Sequence, residues 1–366
     1  MKRVSPLLLS LAIALQVGVS SSLAAVPAFS RLDAEMTVRC ADGRFSGVVM
    51  VAVKGVPAYS RSCGEGVTPA SRFKIFSISK LLTALAVMRL VEQGRMGLDA
   101  PAAAYIPDLP AAWRAVTIRQ LLDHTSGLPD KTEALLAVFE TDHAAAMRRV
   151  LADLGQDAPG PETPPGATYR YNNFGYELLA EAAARVEGES FDRVLERLVL
   201  KPAGMADAVV ELAIPAPGGG RPSSVPDDRL APGFNRSEAG RTPATSYSFV
   251  QLGAGAVHAT VADFLALDRA LRGGALVRPE TWDLMARSSR PSSPANPTAR
   301  YGLGVMSIER EGLTLQGHTG GTNGYISTFR RLPASDAMLA AMSNYGWTET
   351  KWIEEAVAAE LRADGM

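Results

Sequence analysis

The stretch FSISKLLTALAVMRL, residues 76–90, places a lysine at the head of an apolar run. From position 81 to 91 only Thr83 and Arg89 are polar, the pattern of a helix covered by protein on nearly every side. Gly94 follows where a left-handed helix cap is favoured. Burying the Lys80 ammonium is costly unless it is paired or gives up its proton. Ser77 lies three positions earlier, so on a helix the two side chains share a face that continues through Ala84, Val87 and Val91. Desolvation against such a face lowers an ammonium's pKa. A lysine partly neutral near pH 7 can take the proton of a nearby hydroxyl and make it a nucleophile. Ser77 itself falls at or near the helix N-terminus, where free backbone N–H groups suit an oxyanion hole.

Outward from this helix, the preceding segment GVVMVAVKGVPAYSRSCG reads as two apolar strands turning at Lys54 and Gly55, with a short helix over 30–40 before it. Residues 98–212 are mostly helical in pattern, with a capping box from Thr117 to Gln120. Residues 213–251, rich in Pro, Gly and Ser, read as long loops. A further helix begins at Thr260, with Asp263 in its first turn. The last hundred residues switch to strands (YGLGVMSI, LTLQG, NGYISTFRRL, AMLAAMS), closed by a helix over 349–361. Short links between them imply an antiparallel meander. Strands at both chain ends predict one α/β (α+β) architecture: an antiparallel sheet built from residues 30–97 and 252–366, flanked by helices. A mostly helical and loop lobe over 98–251 is inserted between the two halves.

The chain opens with Lys2 and Arg3, an apolar stretch over 6–19, and a small-x-small site at Ser22 and Ala24, the layout of a cleaved signal peptide over 1–24. No later stretch is apolar enough to span a bilayer, so a periplasmic or secreted protein without a stable membrane span is expected. Cys40 and Cys63 flank the predicted hairpin, which leaves a disulfide, favoured in an oxidising compartment, and a pair of free thiols as alternatives. A net charge of −1 over 366 residues supplies no basic field for nucleic acid. The partner expected is a small-molecule or peptide substrate.

Two more segments carry chemistry. In PGATYRYNNFGYELL, Tyr171 and Asn173 sit in a turn just before a helix, where a phenol can reach into a cleft and a neighbouring cation would lower its pKa. In LQGHTGGTNGY, His318, Thr319, Gly320 and Gly321 stand at the end of a strand, the glycines allowing close approach of a substrate to the backbone. The four histidines show no metal-binding spacing, and two cysteines make no thiolate zinc site, so neither metal nor cofactor is expected. There is no G-x-S-x-G elbow. His124, in LLDHTSGLPD, ends a predicted helix before a Gly-Leu-Pro turn, where capping of carbonyls is the expected role.

Together the three segments resemble the penicillin-recognising serine hydrolases, the group of class C β-lactamases, D-alanyl-D-alanine carboxypeptidases and related esterases. S-x-x-K is Ser77 to Lys80, Y-x-N is Tyr171 to Asn173, and H-T-G is His318 to Gly320; LLDHTSGL, KPAGM and GHTGGTNGY are similar too. The resemblance implies a β-lactamase/transpeptidase-like fold with the site between the lobes. Ser77 would attack a carbonyl while Lys80 and Tyr171 manage the proton, forming an acyl-enzyme. Asn173 would hold the lysine and the substrate amide, and the N–H groups of Ser77 and Gly321 would form the oxyanion hole. His318 replaces the lysine of most such β-lactamases; as a partly charged histidine it would meet a substrate carboxylate weakly. A D-alanyl-D-alanine carboxypeptidase-like peptidase is therefore expected first, then an esterase or β-lactamase. A silent penicillin- or cell-wall-peptide-binding protein is the alternative of another class, against which the intact Ser77, Lys80 and Tyr171 set speaks.

Overall fold

The computed structural model describes residues 28–216, 222–238, 240–244, 250–287 and 298–365; the predicted leader lies outside them. Helix α1 (Ser30–Ala41) precedes a hairpin of β1 (Gly47–Val53) and β2 (Val56–Cys63), with Lys54 and Gly55 both at positive φ in the turn. β3 (Phe73–Lys74) leads through a 3₁₀ turn (Phe76–Ile78) directly into α2 (Ser79–Glu92). The middle of the chain contributes α3 (Ile118–Leu122), α4 (Thr132–Ala137), α5 (His143–Leu154) and α6 (Asn173–Glu187). Thr117 and Gln120 make the expected capping box on α3.

The segment read as continuous loop contains short paired strands instead. After β4 (Val209–Val210), β5 (Ala213–Ile214) pairs with β6 (Ser223–Ser224), and β7 (Phe234–Ser237) with β8 (Gly240–Pro243). Pairs two to four residues long are too short to show the period-2 alternation by which a strand is read. β9 (Val257–Ala259) then pairs with both β3 and β4, joining the middle of the chain to the segment just before Ser77. β10 (Arg300–Tyr301), β11 (Met306–Arg310), β12 (Leu313–Thr322), β13 (Tyr325–Leu332) and β14 (Ala337–Ser343) complete the chain before a last helix, Lys351–Ala363.

The main sheet is antiparallel in the order β10-β11-β12-β13-β14-β1-β2, so the two ends of the chain meet where β14 pairs with β1. Side chains alternate across it. Val48 and Ala52 enter the larger core with α2, while Val49, Val51 and Val53 enter a smaller core with α1 and the last helix. Apolar residues on both faces of β1 and β14 thus follow from their central place, with helices above and below. Cys40 and Cys63 are bridged, tying the end of α1 to β2. Helix α2 packs against α6 and against the helical segment 191–200 within the larger core, which accounts for its nearly all-round apolarity.

Candidate active site

The nucleophile candidate sits on a strained reversal. Phe76 has φ 41°, a left-handed conformation that a side chain disfavours, and it converts the end of β3 into the 3₁₀ turn that feeds α2. From Phe73 to Met88 every residue is buried except Ser77, which is half-buried. The backbone thus presents a single side chain from an otherwise covered segment.

One turn further on, Lys80 is 0% exposed. Its Nζ donates to Ser77 Oγ at 3.2 Å and to the Ala254 carbonyl at 3.2 Å. Burial drags its pKa down to about 7, against the opposing pull of the Glu177 and Asp130 charges. The expected lowered amine is therefore supported by its surroundings. Glu177, itself buried on α6, is hydrogen-bonded to His143 Nε2 and to the Gly253 N–H, both at 2.9 Å. This places a fixed carboxylate behind the segment that holds the amine.

The Tyr171 hydroxyl donates to Ser77 Oγ at 2.8 Å, and Lys80 Nζ lies 4.9 Å from the centre of its ring. Although 41% of the residue's surface is exposed, its hydroxyl turns inward against Ser77. Contrary to the expectation that a neighbouring cation lowers its pKa, burial raises it, with Asp130 adding to the rise and the Ser77 hydrogen bond opposing it. Next to it, Asn172 is the N-cap of α6: its side chain accepts the Gly175 N–H at 2.8 Å and donates to Leu128 O at 2.7 Å. Asn173 is the first residue of that helix, its N–H given to Asp130 Oδ2 at 3.1 Å. The Ala254 carbonyl, not Asn173, accepts the lysine's second hydrogen bond.

β12 brings the third segment alongside. Its pairing with β11 ends at Gly317, so residues 318–322 run on with β13 alone and pass beside the Ser77 turn. A β-carbon on Gly320 would lie 1.9 Å from the Ile75 carbonyl oxygen, so only glycine allows this approach. Gly321 is exposed and Thr319 half-buried, the Thr319 hydroxyl making a long contact of 3.8 Å to Met306 Sδ.

His318 departs from expectation. It is 1% exposed. Its Nδ1 lies 2.6 Å from the Thr319 carbonyl oxygen, which can only accept, so Nδ1 carries the proton and Nε2 accepts from the Tyr301 hydroxyl at 2.9 Å. Burial, with the Lys80 charge nearby, pushes its pKa down to about 3. It is a neutral imidazole at pH 7, not the partly charged group expected to meet a carboxylate. Burial behind Tyr301, 17 positions away in the chain, is the cause.

Sequence reasoning missed Tyr301, the Ala254 carbonyl and Glu177. Glu177 lies within the second segment, PGATYRYNNFGYELL, and Tyr301 opens the predicted strand YGLGVMSI, but neither carries a local sign of facing the Ser77 turn, and Ala254 contributes only its backbone.

A mixed α/β fold with an antiparallel sheet, and with a serine, a buried lysine and a tyrosine converging between sheet and helices, is that of the serine hydrolases of β-lactamase fold. The chain belongs to the Beta-lactamase family, whose model matches residues 30–363. Penicillin-binding protein 4* of Bacillus subtilis (strain 168) is 30% identical over 174 residues, which span 46% of this chain and 38% of that protein. Penicillin-binding protein 4 of Amycolatopsis lactamdurans is 27% identical over 319 residues, 78% of this chain and 75% of that one. Among solved structures, the D-amino acid amidase of Ochrobactrum anthropi SV3 complexed with L-phenylalanine amide shares the fold, with a TM-score of 0.74 at 24% identity over 91% of this chain and 98% of that one. No helix among the described residues is long and apolar enough to cross a membrane.

Proposed function

We propose that the chain hydrolyses an amide or ester carbonyl through a covalent acyl-enzyme on Ser77. The observation that carries this reading is the placement of Ser77 Oγ within hydrogen-bond reach of both Lys80 Nζ and the Tyr171 hydroxyl, 3.2 and 2.8 Å away. With its pKa near 7, a substantial share of Lys80 is neutral at neutral pH and can accept the Ser77 proton as Oγ attacks. Tyr171, held protonated by burial, serves as the proton donor to the leaving group and is reprotonated through Lys80. The exposed backbone of Gly321 and the N–H of Ser77, on neighbouring segments, would receive the oxyanion. Water then attacks the ester carbonyl, releasing the acid and restoring Ser77.

Esters and amides without a carboxylate beside the scissile bond rank first as substrates, because the neutral His318 offers them no less than it offers an anion. A D-alanyl-D-alanine carboxypeptidase is the second reading, favoured by the penicillin-binding relatives. Export to an oxidising compartment is part of the proposal, supported by the Cys40–Cys63 disulfide and by the character of residues 1–24.

The test is mass spectrometry of the protein mixed with a fluorescent penicillin, beside hydrolysis of a p-nitrophenyl ester and a D-Ala-D-Ala peptide, for wild type and Ser77→Ala. Ester turnover that needs Ser77 is the expected result. Peptide cleavage with a penicilloyl adduct on Ser77 would select the second reading, and equal turnover in Ser77→Ala would overturn both.

A further inference from the structure

We infer that His124 is a positioning residue that sets the Tyr171 phenol on Ser77, an inference that rests on the proton-transfer role proposed for Tyr171. α3 ends at Leu122 with Asp123 as its C-cap, and His124 follows with φ 58°, a left-handed position where helices usually place glycine or asparagine. From there it holds the chain on both sides of Tyr171. Its carbonyl accepts the Arg170 N–H at 2.8 Å, and its Nδ1 accepts the Asn172 N–H at 3.2 Å. Between these two anchors, its ring lies 4.4 Å from the Tyr171 ring, centroid to centroid.

The second ring nitrogen shows that this is more than helix termination. Because Nδ1 accepts, the proton sits on Nε2, and that atom is buried without a hydrogen-bond partner among the described residues. Around the ring stand Tyr301, Tyr176 and Tyr169, with centroids at 4.7, 5.1 and 5.8 Å. An unpaired buried donor is a standing cost that glycine or an apolar side chain would avoid. What those residues would not combine is the acceptor for Asn172 N–H with a flat ring against Tyr171. The imidazole is 1% exposed, and burial together with Lys80 keeps it neutral, the state in which Nδ1 can accept. Through Tyr301, whose hydroxyl donates to His318 Nε2, the same ring also packs the Tyr171 segment onto the β12 segment.

The experiment is a double-mutant cycle on ester hydrolysis, with thermal melts of each variant. His124→Gly suits the left-handed backbone but removes ring and acceptor; His124→Asn also suits it and keeps an acceptor, two bonds from Cβ. In an otherwise wild-type chain, His124→Gly is expected to lower kcat about 10²-fold with little change in KM, the effect of a misplaced catalytic group. His124→Asn is expected to recover part of that loss. In a Tyr171→Phe background, His124→Gly is expected to change kcat less than about twofold, since its action runs through the phenol. A wild-type rate in His124→Gly, or the same fold-loss with and without Tyr171, would overturn the inference. A wild-type rate in Tyr171→Phe would instead overturn the role of Tyr171 on which it rests. Should His124→Gly fail to fold, His124→Phe, which keeps the ring and drops the acceptor, takes its place in the cycle.

Discussion

Lys80 is a buried amine whose proton is easily lost, and the pH behaviour expected of the proposed mechanism is a direct consequence. The kcat/KM for a neutral ester should rise with pH around a midpoint of about 7, as the amine becomes neutral. Lys80→Ala should lower it by roughly 10²–10⁴-fold while the protein still melts cooperatively; rates within a few-fold of wild type would remove Lys80 from the mechanism. The same shift acts on stability. The folded-state pKa lies below the unfolded value, so between about 7 and 10 the unfolded chain binds the extra proton and stability climbs with pH. At His318 the expectation reverses. With a pKa near 3, His318 should add no pH dependence of its own to the binding of carboxylate-bearing inhibitors across the ordinary histidine range. In a Lys80→Ala background, which removes the amine that titrates near 7, titration calorimetry should give a flat affinity around the free-histidine value of about 6.5; weakening there as pH rises would mean that the imidazole charges after all. Ser77 and Lys80 were legible because a three-residue spacing on a helix is a local fact. The charge of His318 and the grip of His124 on Tyr171 were not, since each depends on a partner from a distant part of the chain.

Among the elements, β12 and the Ser77 turn approach so closely that Gly320→Ala should be disabling. Its β-carbon would meet the Ile75 carbonyl, which is backbone and cannot swing aside. A loss of about 1–3 kcal/mol in urea denaturation is expected, with a larger proportional loss of ester turnover as the strand moves away from Ser77. An unchanged rate would show that the approach is dispensable. The disulfide closes a loop of sequence separation 23 between α1 and β2, and the Cys40→Ser, Cys63→Ser double variant should lose about 3 kcal/mol on loop-closure grounds. Equal denaturation midpoints with and without the bridge would contradict this. The sheet strands and α2 could be read in advance because apolar runs and alternation extend over enough residues to be seen. The pairs β5–β6 and β7–β8 could not: two to four residues are too few to show alternation, and their facing residues, such as Ile214 opposite Ser223 and Arg236 opposite Arg241, carry no shared pattern.

In the molecule as a whole, a buried cluster of charges ties the middle of the chain to the segment that carries Ser77. Lys74 pairs with Glu211 at 2.7 Å, Arg72 with Asp227 at 2.9 Å, and His258 Nδ1 lies 3.0 Å from Asp227. Glu211 and Asp227 have pKa values brought down to about 2, by hydrogen bonds to His258 and to Lys74 or Arg72 that outweigh burial. A carboxylate held below its unfolded value stabilises the fold above about pH 4 and loses that contribution as pH falls toward 2. The melting temperature should therefore fall steeply between pH 4 and pH 2, and less steeply in a Glu211→Gln, Asp227→Asn variant once its lower starting stability is allowed for. Parallel profiles would place the acid sensitivity elsewhere. The pairing of the chain's two ends has a further consequence for how the molecule comes into being. Ser343 hydrogen-bonds Ser46 across 297 positions, so during synthesis the strand made first waits for almost the last to be translated. Until then the platform under Ser77 has no edge to close on. A truncated or stalled chain thus carries Ser77, Lys80 and Tyr171 without the sheet that seats them together, and on the proposed mechanism it would be born inert and armed by the completion of its own sheet.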